Sequence, residues 1–250
     1  MLTIDIQTVE KFHLLFLTQL GTRVDKKLYA LKGGCNLRFF WKSIRYSQDI
    51  DFDVHTIGRE TLRKNVNQIL NAPGFKRILR ITKIELGHVS QPKQTDNTQR
   101  WKIHIRADDS AVDLPTKIEF SRRKFDEGVV FEGVDPEVIR IHDLRPILAN
   151  HYGLEAAVAQ KIDAVAGRSQ TQARDVFDLA LLSERAGPAL KTRVDKKKTI
   201  VACANVTSVS FDQFKSQVVA YLLPEYQEHY GTPEIWERLQ ENVIKILKNL

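Results

Sequence analysis

Asp49, Asp51 and Asp53 recur at every second position, interleaved with Ile50, Phe52 and Val54. In an extended strand, residues two apart point to one face, so three carboxylates share one side and three apolar groups the other. Like charges spaced this way repel and raise one another's pKa. A cation relieves the repulsion. An oxygen-only ligand set suits a hard ion such as Mg²⁺ or Mn²⁺, bound through one or two carboxylates with water and phosphate oxygens completing the shell. Upstream, Gly33 and Gly34 separate a stretch that reads as strand from one that reads as helix. Backbone amides at a helix start form an anion site, and the helix dipole strengthens it. A phosphate cradle followed by an acidic strand is a layout for nucleotide chemistry. Taken singly, the glycines read as a turn and the acids as the wet face of an edge strand; their order and closeness favour the chemical reading.

The elements that must position these groups follow from periodicity. Val9, Phe12, Leu15, Phe16 and Leu20 predict a helix over about Thr8 to Leu20. Leu28 to Leu31 predicts a short strand ending at the glycines, Asn36 to Trp41 a helix starting on them, and Asp49 to Val54 the next strand. Arg59 to Leu70 predicts a helix closed by Pro73-Gly74. Three strands are expected at Ile78 to Leu86, Trp101 to Arg106 and Lys117 to Phe120, with Gln91 to Arg100 as a hairpin loop. Val134 to Leu148 reads as a junction between domains.

Beyond it the pattern turns helical. Leu154, Ala157, Val158, Ile162 and Val165 share one face, with Lys161 at its margin. In Arg174-Asp175-Val176-Phe177-Asp178 the two acids share a face, and Arg174 is spaced to pair with Asp178. Arg168 lies between the two helices. Phe211 to Leu223 and Pro233 to Leu250 predict two more amphipathic helices, and the basic run Lys191, Arg193, Lys196, Lys197 and Lys198 reads as a solvated loop or a track for an RNA backbone.

Gly33-Gly34 followed by Arg45-x-Ser47-x-Asp49-Ile50-Asp51 resembles the opening signature of the nucleotidyltransferase superfamily that includes DNA polymerase β. More closely, with Lys161 and the Arg-Asp-x-x-Asp motif at 174–178, the chain resembles the AbiEii-type toxins over about residues 28 to 185. The resemblance implies an α+β domain over 1–140 with a mixed sheet and flanking helices, then a helical domain over 141–250. It implies a metal site of Asp49, Asp51 and Glu119, with Glu119 also helping to activate the incoming hydroxyl. Gly33, Gly34, Cys35, Ser47, Lys161, Arg174 and Asp178 are implied in nucleotide binding, and Asp175 in orienting Lys161 or a substrate. Position 35 departs from the pattern, since relatives carry Ser or Thr and a thiol donates poorly; backbone amides or Ser47 then serve the phosphate. The implied activity is Mg²⁺- or Mn²⁺-dependent transfer of NMP from an NTP (ATP, GTP or CTP) to RNA, with tRNA as the acceptor the family suggests, by the toxin of a toxin–antitoxin pair. A protein or small-molecule acceptor, and a binding module without turnover, are the alternatives.

Composition sets the frame. The 250 residues carry a formal charge of +7, which favours polyanions without implying sequence readout. Two cysteines, Cys35 and Cys203, are too few for a disulfide framework. No apolar run approaches the roughly 20 residues of a bilayer span, so no membrane partner and a cytoplasmic location are expected.

Overall fold

A computed structural model describes residues 3–108, 110–125, 127–187 and 195–250. The chain divides into two compact units, one of residues 1–40 and 46–152, the other of 41–45 and 153–250.

The first unit is built on a seven-stranded mixed sheet. Along the chain run α1 (Thr3–Arg23), β1 (Tyr29–Lys32), α2 (Gly33–Phe40), β2 (Asp49–Val54), α3 (Arg59–Asn71), α4 (Pro73–Ile81), β3 (Ile84–Gln94), β4 (Thr98–Ala107), β5 (Leu114–Arg122), β6 (Val129–Gly133), α5 (Pro136–Ile141) and β7 (Leu148–Tyr152). The strand order is β3-β4-β5-β2-β1-β7-β6. The β2 strand pairs antiparallel with β1 and parallel with β5.

The expected alternation in β2 is present. Ile50, Phe52 and Val54 are fully buried, and the Phe52 ring stacks on Phe120 at 4.9 Å and meets Tyr29 edge-on at 5.7 Å. On the same side, Trp101 is fully buried and donates its indole N–H to Asn67 at 2.9 Å. Each such ring contributes roughly 1.5–3 kcal/mol by leaving water.

Several expected boundaries change. Residues 78–81 are helix, not strand: Pro73 at the first position of α4 pre-sets the helical φ, Phe75 and Leu79 face inward, and Lys83 at φ +61° ends the turn before β3 begins at Ile84. The polar stretch at 91–100 is mostly strand, because β3 and β4 pair out to Gln94–Gln99 and only a tight turn remains. Val134 to Leu148 holds α5, capped by Asp135, and leads into β7, which joins the sheet beside β1. The first unit therefore runs to Tyr152, beyond the expected division after residue 140.

The second unit contains α6 (Leu154–Gly167), α7 (Ala173–Ala186), α8 (Lys196–Thr207), α9 (Phe211–Gln217), α10 (Pro224–Tyr230) and α11 (Pro233–Asn249). Its core centres on Phe214, which stacks on Trp236 at 4.4 Å and lies 5.9 Å from Phe177. Lys196, Lys197 and Lys198 open α8, whose first turn is capped by the Asp195 carboxylate. The rest of that basic run, Lys191 and Arg193, lies outside the described residues. The single helix expected over 211–223 stops at Gln217 and gives way to a 3₁₀ turn.

Candidate active site

The open face of β2 carries the acids, and β5 supplies their neighbours. The parallel register sets Asp51 opposite Glu119 and Asp49 opposite Lys117. Lys117 Nζ lies 3.1 Å from Asp49 Oδ2 and 3.8 Å from Glu119 Oε2. Arg100 of β4 donates from Nε to Glu119 Oε2 at 2.6 Å. Asp51 has no ion-pair partner among the described residues. Burial pushes its carboxyl up; Lys117 opposes this, and Asp49 and Glu119 add to it.

The third acid of the alternation is spent elsewhere. Asp53 is buried, pairs with Lys32, and accepts a hydrogen bond from the Tyr152 hydroxyl at 2.7 Å. This leaves Asp49 and Asp51 as the pair that shares the open face with Glu119.

The glycines come against the same acids. Gly33 sits at φ +69°, a left-handed conformation that disfavours side chains, and a Cβ there would approach Asp51 Oδ2 to 3.2 Å. The α2 helix starts at this bend, so its first amides, which have no intrahelical acceptor, begin next to Asp51.

Cys35 and Ser47 are turned to other work. The Cys35 thiol is buried and donates to the Asp49 carbonyl at 3.2 Å, and burial, reinforced by the Asp51 charge, raises its pKa well above the usual thiol value. Ser47 Oγ donates to the same carbonyl at 2.8 Å. The sequence reading missed His13. It lies fully buried in α1, with Nδ1 3.5 Å from Cys35 Sγ and Nε2 2.7 Å from Thr116 Oγ1. Its one sequence signal is an ionisable residue amid the apolar run Phe12 to Leu17.

Among the described residues, no three His, Cys, Asp or Glu side chains are gathered as a ligand set for a metal ion. Asp49 and Glu119 instead lean on Lys117 and Arg100. The donor chemistry nevertheless fits a hard divalent ion: two carboxylates two residues apart on one face, one of them without a cation partner, satisfy the protein share of a Mg²⁺ shell.

In the helical unit, a second set of charges is buried except for Arg168, which lies at the surface. Lys161 Nζ lies 2.8 Å from Asp175 Oδ1 and 2.7 Å from Asp178 Oδ2. Arg45 grips both oxygens of Asp178, at 3.0 and 2.8 Å, and Arg168 Nε lies 2.7 Å from Asp175 Oδ2. Burial opposes ionisation of Asp178, but Arg45 and Lys161 outweigh it and bring the pKa down to about 2. Burial likewise opposes the charge on Lys161, and the two aspartates overcome it and raise its pKa. Asp178 takes Arg45 and Lys161 as partners, so the expected pair with Arg174 is not formed among the described residues.

The fold is of the kind seen in nucleotidyltransferase-like structures. The structure is similar to JHP933 from Helicobacter pylori, with a TM-score of 0.60 at 18% identity, covering 100% of this chain and 96% of that one. It is similar to a second H. pylori structure, of a protein assigned as a nucleotidyltransferase, with a TM-score of 0.60 at 17% identity, covering 100% and 98%. At these identities the likeness establishes the fold. No curated protein matches the chain.

A family model described as "Nucleotidyl transferase AbiEii toxin, Type IV TA system" matches residues 15–241. The chain belongs to this family of nucleotidyl transferase toxins. No described helix is long and apolar enough to cross a membrane.

Proposed function

We propose that this protein transfers a nucleoside monophosphate from an NTP to RNA, with tRNA as the acceptor, in a reaction that depends on a divalent metal, and that it acts as the toxin partner of a cognate antitoxin. The observation that carries the reading is Asp51: it has Asp49 two residues before it, Glu119 in register on β5 and Gly33 against its carboxylate, yet, with Lys117 and Lys32 acting only from a distance, it forms no ion pair within 4 Å among the described residues.

Mg²⁺ or Mn²⁺, held by Asp49 and Asp51 with Glu119 as the third carboxylate, supplies charge neutralisation at the transferring phosphate. The amides of Gly33, Gly34 and Cys35 bind the β and γ phosphates. Glu119, oriented by Arg100, accepts the proton of the incoming hydroxyl. Lys161, oriented by Asp175, neutralises triphosphate charge. The departure at Cys35 weighs little here, because the thiol is directed at a backbone carbonyl and phosphate contact rests on amides.

The test is incubation with each labelled NTP, Mg²⁺ and total RNA. Label enters RNA with the native protein and is lost with Asp51→Ala. NTP binding without transfer to RNA, protein or small-molecule acceptors would instead make the chain a binding module.

A further inference from the structure

On its β1 side the start of β2 has no strand partner, although Asp49 and Ile50 pair with Lys117 and Ile118 of β5 on the other side. The last pair between β1 and β2 is Lys32–Asp51, because Gly33 turns the chain into α2. Residues 48–50 therefore overhang β1, and Asp49 is among them. Carbonyls of a half-buried segment such as Gln48–Asp49 still favour donors from elsewhere in the protein.

Side chains supply them. The Asp49 carbonyl accepts from Cys35 at 3.2 Å and Ser47 at 2.8 Å, and the Gln48 carbonyl accepts from Thr116 Oγ1 at 2.8 Å. His13 lies against both sets. Because the Thr116 proton goes to Gln48, the His13 Nε2 must be the donor to Thr116 Oγ1, which leaves Nδ1 without a proton, 3.5 Å from a thiol whose one proton goes to the Asp49 carbonyl; this second approach is a packing contact. His13 and Thr116 are 0% and 4% exposed, and Thr116 shares its strand face with Ile118 and Phe120. Apolar residues of the same size would fill this space. Polar groups kept there must satisfy one another, and a satisfied buried network specifies one arrangement.

We infer that His13, acting through Thr116 and packed against Cys35, is a positioning residue that fixes the Gln48–Asp49 peptide, and with it the Asp49 carboxylate, at the open face of the sheet. The inference rests on the proposed metal role of Asp49 for its consequence, but not for its geometry. It also gives position 35 a role that a thiol can fill: a small donor aimed at the half-buried Asp49 carbonyl, while the phosphate is left to the backbone.

The experiment compares full-length His13→Leu, Thr116→Val, Cys35→Ala, Cys35→Ser and His13→Gln. Amide hydrogen exchange over residues 47–51 reports the geometry. The Leu, Val and Ala variants exchange there roughly 10-fold faster or more, with β7 unchanged; Cys35→Ser and His13→Gln, which keep a donor, remain slow. Mn²⁺ affinity in the presence of a non-hydrolysable NTP analogue reports the consequence, and falls roughly 10-fold in His13→Leu and Thr116→Val, with recovery in His13→Gln. Unchanged exchange at 47–51, or faster exchange spread evenly over the sheet, overturns the inference. Loss of local protection with Mn²⁺ affinity intact also overturns it, as the network would then be structural only. If native protein shows no Asp51-dependent Mn²⁺ binding, the proposed function fails, and the exchange data still decide whether His13 positions β2.

Discussion

The two charge clusters of this protein use the same residue types to opposite ends. On the sheet, Asp49, Asp51 and Glu119 face Lys117 and Arg100, so carboxylates are in excess, and Asp51 is pushed toward protonation. In the helical unit, Arg45, Lys161 and Arg168 face Asp175 and Asp178, and burial's opposition to both aspartates is overcome. The first cluster leaves one carboxylate outside any ion pair among the described residues, and the second ties both of its carboxylates to cations. An acidic pair is therefore not a site by virtue of its residues; the balance of partners around it decides what it can bind.

The comparison can be broken first on the stability side. Arg45→Ala leaves Asp178, fully buried, with one partner fewer, and removal of one member of a buried pair costs about 3–5 kcal/mol. Chemical denaturation should show that loss, whereas the same measurement on Asp51→Asn should show none, because that substitution removes repulsion. Activity should show the reverse. Asp51→Asn lowers the transfer rate by roughly 10²–10³-fold, the cost typical of losing one electrostatic contact to the transition state, with the fold intact by circular dichroism. An equally large stability loss in both variants would erase the distinction.

Acid pH sharpens it further. Burial depresses His13 to about 3 against the usual 6.5, so the unfolded chain binds more protons between those values. Its contribution to stability is complete above pH 6.5 and is lost as pH falls toward 3, at up to about 1.4 kcal/mol per pH unit. Asp178, depressed to about 2, adds a loss in the same direction between about pH 4 and 2. Unfolding free energies measured from pH 7 to 4 should fall, and His13→Gln should flatten that slope. The smallest effect is expected at Asp53. Asp53→Asn weakens its contacts with Lys32 and Tyr152 and costs about 1–3 kcal/mol, with Mn²⁺ affinity unchanged. A marked fall in Mn²⁺ affinity would place Asp53 among the ligands.

Much of the layout was readable from local pattern. The alternation from Asp49 to Val54, the glycine bend, the helix carrying Lys161 and the shared face of Asp175 and Asp178 all stand where periodicity put them. Misreadings fell where local signals compete. Ile78 to Ile81 is β-branched and apolar enough for a strand, but Pro73 and the inward pair Phe75 and Leu79 held it in a helix. The polar residues of Gln91 to Arg100 read as loop because an open sheet face can be as polar as a turn.

By itself, the sequence determined which side chains share a face and where the chain must bend, since both follow from backbone geometry over a few residues. Only the tertiary structure decided which partners those faces met: Glu119 beside Asp51, Lys32 and Tyr152 on Asp53, Arg45 on Asp178, and His13 under the start of β2. These pairings join residues distant along the chain. Their register is set by how the whole apolar interior packs, and no local pattern carries that information.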